Sequence, residues 1–243
     1  MQQSNPSIPA PPVIDTWRMF DRIAPTYDLL NRMISFRRDV AWRKCFTEHL
    51  PAGEALRVLD LATGTGDVLI DVARRSGRVR LGVGLDMSAR MLELAGRKFD
   101  RMQTDPALTR LRSDACSIGA ADASFDAATM AFGIRNVPDV PGALREIRRV
   151  LRRGGRALIM EFSLPRNPLF RAFYLFYFRH VLPRIGGIVS GDRAAYRYLN
   201  ESVERFPHGL EFCRLMEDAG FTRVEARPLT FGIATLYIGE KAT

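Results

Sequence analysis

Cysteine, histidine and lysine are all scarce in this chain of 243 residues. The three cysteines, Cys45, Cys116 and Cys213, are odd in number and far apart, which argues against a disulfide framework and suits a reducing compartment. The three histidines, His49, His180 and His208, share no metal-ligand spacing with one another or with the cysteines, so no metal is expected. No stretch reaches the roughly 18 apolar residues of a membrane-spanning helix, and the N-terminus lacks the charged and apolar regions of a secretory signal. A soluble or peripheral protein follows. Lysine occurs only at Lys44, Lys98 and Lys241, so arginine supplies almost all of the basic side of a +9 net charge. Such a balance suits nucleic acid or an anionic membrane surface. The charges are spread along the chain, however, and the one denser stretch, Arg145 to Arg156, reads first as a solvated helix face.

With 47% hydrophobic and 26% charged residues, the composition is that of one sizeable folded domain. Residues 1–13 carry Pro6, Pro9, Pro11 and Pro12 among small polar residues and read as a disordered tail, leaving 14–243 as a single domain. From Trp17 to Leu50 apolar residues recur at helical spacing, broken at Pro25, which predicts a preface of two or three helices. From Ala55 short apolar runs alternate with amphipathic stretches, the pattern of βα units and a parallel sheet. Strands are expected at Arg57 to Leu61, Arg80 to Leu85, Thr109 to Arg112, Phe125 to Ala131 and Arg156 to Phe162. The intervening helices are expected at Gly66 to Arg75, Ser88 to Arg101 and Val140 to Leu151, the last stopped by Gly154-Gly155. An aromatic insertion, Pro168 to Pro183, comes next, followed by helices at Asp192 to Glu204 and Gly209 to Ala219. The last two strands, Arg223 to Leu229 and Ile233 to Glu240, are separated only by Thr230 to Gly232. A turn that short permits only an antiparallel hairpin. The fold class is therefore α/β, with a mostly parallel seven-stranded sheet and an antiparallel terminal strand.

Three loops carry the candidate chemistry. Val58-Leu59-Asp60-Leu61-Ala62-Thr63-Gly64-Thr65-Gly66-Asp67 places a Gly-x-Gly turn between an apolar strand and a helix, where backbone can approach a ligand and a helix N-terminus offers free N–H groups. A third glycine of the nicotinamide-binding type is absent near Leu69. The second strand ends at Asp86, where a carboxylate can accept from both hydroxyls of a ribose. Ser88 is available to cap the following helix, leaving Asp86 for a ligand. Asp114 follows the third strand and could accept from the exocyclic amine of adenine. Gly64, Asp86 and Asp114 together form the crevice where open α/β sheets bind ligands.

This arrangement resembles class I S-adenosylmethionine-dependent methyltransferases with a Rossmann-like fold. Phe20-Asp21-Arg22-Ile23-Ala24-Pro25-Thr26-Tyr27-Asp28, Asn31, Ser35-Phe36 and Trp42-Arg43-Lys44 resemble the opening signature of the menaquinone and ubiquinone C-methyltransferases. So do Phe132-Gly133-Ile134-Arg135-Asn136, Glu161-Phe162-Ser163, Pro183-Arg184-Ile185-Gly186, Ala195-Tyr196-Arg197-Tyr198-Leu199, Phe206-Pro207 and Ala219-Gly220-Phe221, in family order. Two places depart from the pattern. Arg37 and Asp39 stand where the family usually has Gly-x-His, and Ala131 stands where some members have serine.

The resemblance implies S-adenosylmethionine as cofactor, bound by Thr63, Gly64, Gly66, Asp86, Met87, Asp114 and Ala115. It implies methylation of a ring carbon of a polyprenylated quinol, such as demethylmenaquinol or a benzoquinol of ubiquinone synthesis. Arg135 and Asn136 are the expected catalytic residues, Arg135 stabilising phenolate and Asn136 fixing a water or a quinol oxygen. Tyr27, Asp28 and His208 are unranked candidates for the proton acceptor. The insertion, about 165–205, is expected to lid the acceptor pocket and guide the prenyl tail. A homodimer, a cytoplasmic location and weak contact with the inner membrane face are further expectations. The alternatives are a nucleic-acid methyltransferase or a non-catalytic S-adenosylmethionine-binding scaffold. Against the first, the Asn/Asp-Pro-Pro-aromatic segment of base-amine methyltransferases is replaced here by Phe132 to Asn136, so no nucleic-acid partner is expected.

Overall fold

The computed structural model describes residues 16–35, 37–102, 107–181, 184 and 193–243. The expected tail, Pro183, Ile185 and Gly186 lie outside them. Two helices open the fold, α1 (Thr16–Ile34) and α2 (Arg38–Glu48). They are followed by β1 (Leu56–Leu61), α3 (Asp67–Ser76), β2 (Val79–Asp86), α4 (Ala89–Asp100), β3 (Ala107–Arg112), β4 (Phe125–Ala131), α5 (Val140–Val150) and β5 (Leu151–Phe162). The C-terminal part holds α6 (Pro168–Phe176), a π-helical turn at Tyr177–Val181, α7 (Arg193–Arg205), α8 (Leu210–Asp218), β6 (Thr222–Leu229) and β7 (Ala234–Glu240).

The strands form one sheet in the order β3-β2-β1-β4-β5-β7-β6. β1 to β5 pair in parallel, whereas β7 enters between β5 and β6 antiparallel to both. Period-two alternation sends neighbouring side chains to opposite faces, and here both faces are covered. Leu59, Leu61 and Ile159 pack with Leu144, Ile147, Phe212 and Met216 on one side. Val58, Leu158 and Met160 pack with Trp42, Phe46, Leu69 and Phe99 on the other. The edge strand β6 has little to bury, and Arg223, Glu225, Arg227 and Pro228 guard it against further pairing.

Two expectations need correction. Pro25 does not break the preface, because α1 runs through it as one helix. The proline faces solvent, and tertiary contacts on either side outweigh the lost N–H: Asp21 accepts from the Arg90 N–H at 3.1 Å and from Ser88 Oγ, while Asp28 accepts from Thr65 Oγ1 at 2.6 Å. Nor does Gly154-Gly155 stop a helix. α5 ends at Val150 and the chain enters β5 at once, with the glycines inside the strand. There the pairing with β4 jumps from Phe125↔Leu151 to Ala127↔Arg156, a bulge that Gly154 permits at φ 73°.

A third, smaller cluster of Met19, Ile23, Leu164, Tyr174, Phe178 and Val203 joins the preface to the insertion above the carboxyl ends of the strands. The turn between β1 and α3 is equally constrained. Gly66 caps α3 at φ 84°, and a Cβ there would lie 2.6 Å from Phe99 Cε1. Gly66→Ala adds left-handed strain and an overpacked contact, together about 2–4 kcal/mol. The thermal midpoint should fall by roughly 5–10 °C in circular dichroism. An unchanged midpoint would show that the turn relaxes without cost.

Candidate active site

A single carboxylate organises the carboxyl end of the sheet. Asp60 is the one acidic side chain of β1, and it is fully buried. Thr63 Oγ1 donates to Asp60 Oδ2 at 2.6 Å and Thr129 Oγ1 to Oδ1 at 2.6 Å, so one residue ties the glycine turn to β4. Burial pushes its carboxyl up to about 7 despite both hydroxyl donors. The sequence reading gave Asp60 no role, although a carboxylate between Leu59 and Leu61 already demands buried partners.

Asp86 extends the same construction to β2. Its Oδ2 accepts from the Gly64 N–H at 2.9 Å and its Oδ1 from the Ser88 N–H at 2.8 Å, and burial again raises its pKa. Ser88 itself caps α4, accepting from the Met91 N–H at 3.1 Å. Asp114 stands in the next loop and accepts from the Cys116 N–H at 2.9 Å.

Two cavities open from this end of the sheet. The larger, about 370 Å³, has Gly64, Asp86, Met87, Asp114, Ala115 and Asn136 in its wall. The smaller, about 130 Å³, has Asp28, Trp42, Thr63, Arg135, Phe162 and Tyr198 in its wall. Phe20, Tyr27, Ala62, Gly64, Ala131 and Phe132 line both, so the chambers share one partition. Six of the nine candidate residues thus border the larger chamber, Thr63 and Arg135 border the smaller, and Gly66 supports the turn from outside both.

Arg135 lies buried in the short 3₁₀ turn Ile134–Asn136 that follows β4. Its Nη1 donates to Glu161 Oε1 at 2.9 Å and to the Phe132 carbonyl, and its backbone N–H reaches Glu161 Oε2 at 3.3 Å. Glu161 Oε1 also accepts from the Phe162 N–H at 2.8 Å. Burial raises the Glu161 pKa even against the adjacent guanidinium. The Arg135 Nε is buried and has no hydrogen-bond partner. Asn136 Oδ1 accepts from Tyr198 Oη at 3.1 Å, bringing α7 onto the Arg-Asn turn. Glu161 and Tyr198 had no assigned role in the sequence reading, since their partners lie 26 and 62 residues away.

Of the unranked proton acceptors, Tyr27 and Asp28 border the smaller chamber. Asp28 is already engaged by Thr65 and, at 2.6 Å, by Lys98 Nζ. His208 borders neither chamber, and its ring faces the Phe206 carbonyl. Within the insertion, Tyr198 and Leu199 line the smaller chamber, Tyr174 and Phe178 are buried beside it, and Phe173 and Phe176 point to solvent. Arg37 adopts φ 61° at the start of α2, a left-handed conformation that favours glycine. Asp39 is held by Ser35 Oγ at 2.6 Å and Arg43 at 3.2 Å.

Residues 15–241 match the ubiE/COQ5 methyltransferase family. The chain is 50% identical over 93% of both chains to a ubiquinone/menaquinone biosynthesis C-methyltransferase, UbiE, of Syntrophotalea carbinolica. It is 45% identical, over 92% of this chain and 91% of the other, to a demethylmenaquinone methyltransferase of Deinococcus radiodurans. Among solved structures, phosphoethanolamine N-methyltransferase 2 of Haemonchus contortus, in complex with S-adenosyl-L-methionine, superposes with a TM-score of 0.63 at 16% identity. That match covers 84% of this chain and 53% of the other.

The raised pKa of Asp60 has a consequence for stability. The folded chain binds this proton more tightly than the unfolded chain does, so the group's stabilising contribution is full below about pH 4 and is lost as pH rises through about 7. Asp60→Asn keeps the shape without the ionisation. Urea unfolding at pH 5 and pH 8 should show wild type losing a few kcal/mol more than the variant between the two. Parallel losses would mean that Asp60 does not titrate in this range.

Proposed function

The chain belongs to the ubiE/COQ5 methyltransferase family, and from that premise we propose that its two joined chambers hold S-adenosylmethionine and a polyprenylated quinol. It is a S-adenosylmethionine-dependent C-methyltransferase of quinone biosynthesis. The proposal concerns the acceptor and the residues that act on it.

The larger chamber fits the cofactor. Asp86 sits at a strand end beside a glycine turn, where a carboxylate accepts from ribose hydroxyls, and Asp114 and Ala115 follow in the adenine position. When bound, S-adenosylmethionine supplies an electrophilic methyl group on a sulfonium sulfur. What this chain must provide is the acceptor's orientation and charge. Transfer to a ring carbon demands close alignment, which the shared partition of Phe20, Tyr27 and Phe132 supports.

A ring carbon becomes a competent nucleophile when the neighbouring hydroxyl ionises, and a phenol has a reference pKa near 10. The single observation that carries the reading is Arg135 itself, a buried guanidinium in the wall of the smaller chamber whose Nε has no hydrogen-bond partner within the protein. A guanidinium has a pKa above ~12 and cannot serve as the base, but a free donor on it can stabilise phenolate oxygen directly or through water. Glu161 orients that guanidinium from behind. Tyr198 fixes Asn136 toward the junction. Trp42, Phe132 and Phe162 pack against one another, the latter pair with ring centroids 4.3 Å apart, and offer an apolar wall to a flat ring.

The direct test is incubation with S-adenosylmethionine and a short-tailed demethylmenaquinol, reading the gain of one methyl group by mass spectrometry. No product from the folded protein would favour a scaffold. Asp86→Ala should weaken cofactor binding by roughly 10- to 150-fold in calorimetry, the loss of about 1.5–3 kcal/mol typical of bonds to a charged acceptor. Unchanged affinity would remove Asp86 from the site. Arg135→Ala should lower turnover far more than cofactor affinity, because its bond strengthens as charge grows on the acceptor oxygen. Arg135→Lys should rescue poorly, lacking the planar fork that also holds Glu161. Wild-type turnover in both variants would make the turn purely structural.

A further inference from the structure

Residues 162–191 contain four arginines and neither Asp nor Glu, in a chain that has 27 acidic residues elsewhere. Within that segment, Leu169, Phe173 and Phe176 recur at i, i+4 and i+7, so α6 turns them to one face. They are 82%, 69% and 60% exposed. The other face of the helix buries Tyr174, stacked on Phe178 with ring centroids 5.1 Å apart. The exposed apolar row is therefore additional to the side chains that hold the helix down.

A second element reaches the same place from far away in the chain. The turn between β6 and β7 carries Phe231, 84% exposed and edge-on to Phe170 with centroids 5.5 Å apart. Asn167, Leu169, Phe170, Phe173 and Phe231 line one open groove. This turn is strained: Thr230, Phe231 and Gly232 have φ of 44°, 57° and 89°. Two successive non-glycine residues in the left-handed region persist only where their surroundings impose it. Here Trp42 Nε1 donates to Thr230 Oγ1 at 2.8 Å, and Ser163 Oγ donates to the Gly232 carbonyl at 2.8 Å. Trp42 is also a wall of the acceptor chamber. The strain thus holds a large aromatic side chain in solvent, on a turn bonded to the acceptor site.

We propose that Leu169, Phe173, Phe176 and Phe231 form a docking face for an anionic lipid bilayer, with Arg166 and Arg171 contacting its headgroups. Both arginines are exposed and neither forms an ion pair within 4 Å among the described residues, although Arg171 lies close enough to Glu204, the partner of Arg179, to help lower its pKa. Large apolar side chains flanked by arginines match the boundary between headgroups and acyl chains. No helix among the described residues is long and apolar enough to cross a membrane, so the contact is peripheral. A second copy of the chain fits the face worse. In a two-fold interface the acid-free, arginine-bearing segments would oppose each other. The inference extends the quinol reading, since a prenylated acceptor resides in the bilayer, but its test does not depend on turnover.

Flotation with vesicles of phosphatidylcholine, with and without phosphatidylglycerol, tests the proposal. Wild type should bind the anionic vesicles at low salt and dissociate at high salt. F173S/F231S should weaken that binding by at least about tenfold, and R166E/R171E should abolish the preference for anionic lipid while retaining the fold. Both variants should methylate a tail-less quinol analogue as wild type does. No vesicle binding by wild type, or equal binding by wild type and both variants, would overturn the proposal. So would sedimentation showing a wild-type dimer that F173S/F231S dissociates, because a second copy would then cover the face. Absence of quinol methylation in wild type with vesicle binding intact would sink the acceptor assignment and leave the docking face standing.

Discussion

A carboxylate placed inside an apolar strand has to be satisfied where it lies, and the geometry of the site grows from how Asp60 is satisfied. Its two oxygens take hydroxyls from Thr63 and Thr129, so the glycine turn and the carboxyl end of β4 are held at one point. From there the Gly64 N–H is presented to Asp86, which joins the end of β2 to the same turn. The turn between β1 and α3 is a chain of left-handed residues, Ala62 at φ 47°, Gly64 at 55° and Gly66 at 84°. Such a turn has few ways to collapse once both neighbours hold it, and a preorganised cradle requires that rigidity.

The helical preface depends on the same end of the sheet. Lys98 Nζ binds Asp28 at 2.6 Å, Thr65 at 2.9 Å and Asp67 at 2.5 Å, while Arg43 reaches Asp39, Asp67 and Asp71. The half-buried network fastens α1 and α2 to α3 and α4, and α1 thereby lies across both chambers. This is a specific use for one of the three lysines in an arginine-rich chain. The flexible stem brings a compact ammonium among three separate oxygens, which a planar guanidinium does less readily.

Electrostatics separates the two chambers. At the larger chamber, Asp86 accepts from the backbone N–H groups of Gly64 and Ser88, and Asp114 from that of Cys116. Beside the smaller chamber, the buried Arg135 guanidinium is neutralised by Glu161 and keeps its Nε without a hydrogen-bond partner. Removing either member of so buried a pair would strand the other's charge. The orientation of Arg135 and local stability therefore rest on the same contact. The rings of Trp42, Phe132 and Phe162 pack beside it as an apolar wall, and a wall of low polarity strengthens any charge interaction made there.

Much of this was legible in the residues. Short apolar runs placed the strands, because a strand buried on both faces must be apolar at nearly every position. The three-residue connection Thr230 to Gly232 forced β7 to run antiparallel, for no parallel crossover is that short. Ser88 as a cap freed Asp86 for the glycine turn, as local hydrogen-bond chemistry requires. Pro25 and Gly154-Gly155 misled because local propensity is overruled by long-range contacts: α1 is held through Asp21 and Asp28, and the two glycines serve a bulge between strands. Spacing could not show that Arg135 is backed by Glu161, that Tyr198 reaches Asn136, or that Phe231 joins α6. Those pairings are 26, 62 and, between Phe170 and Phe231, 61 residues apart, and only the folded chain brings them together. The sequence by itself determined the order of strands and helices and the types of side chain at the strand ends, since both follow from short-range periodicity and turn sterics. The tertiary structure decided which of those side chains share a cavity and which donor remains unpaired, because burial and partner distance are properties of the packed chain alone.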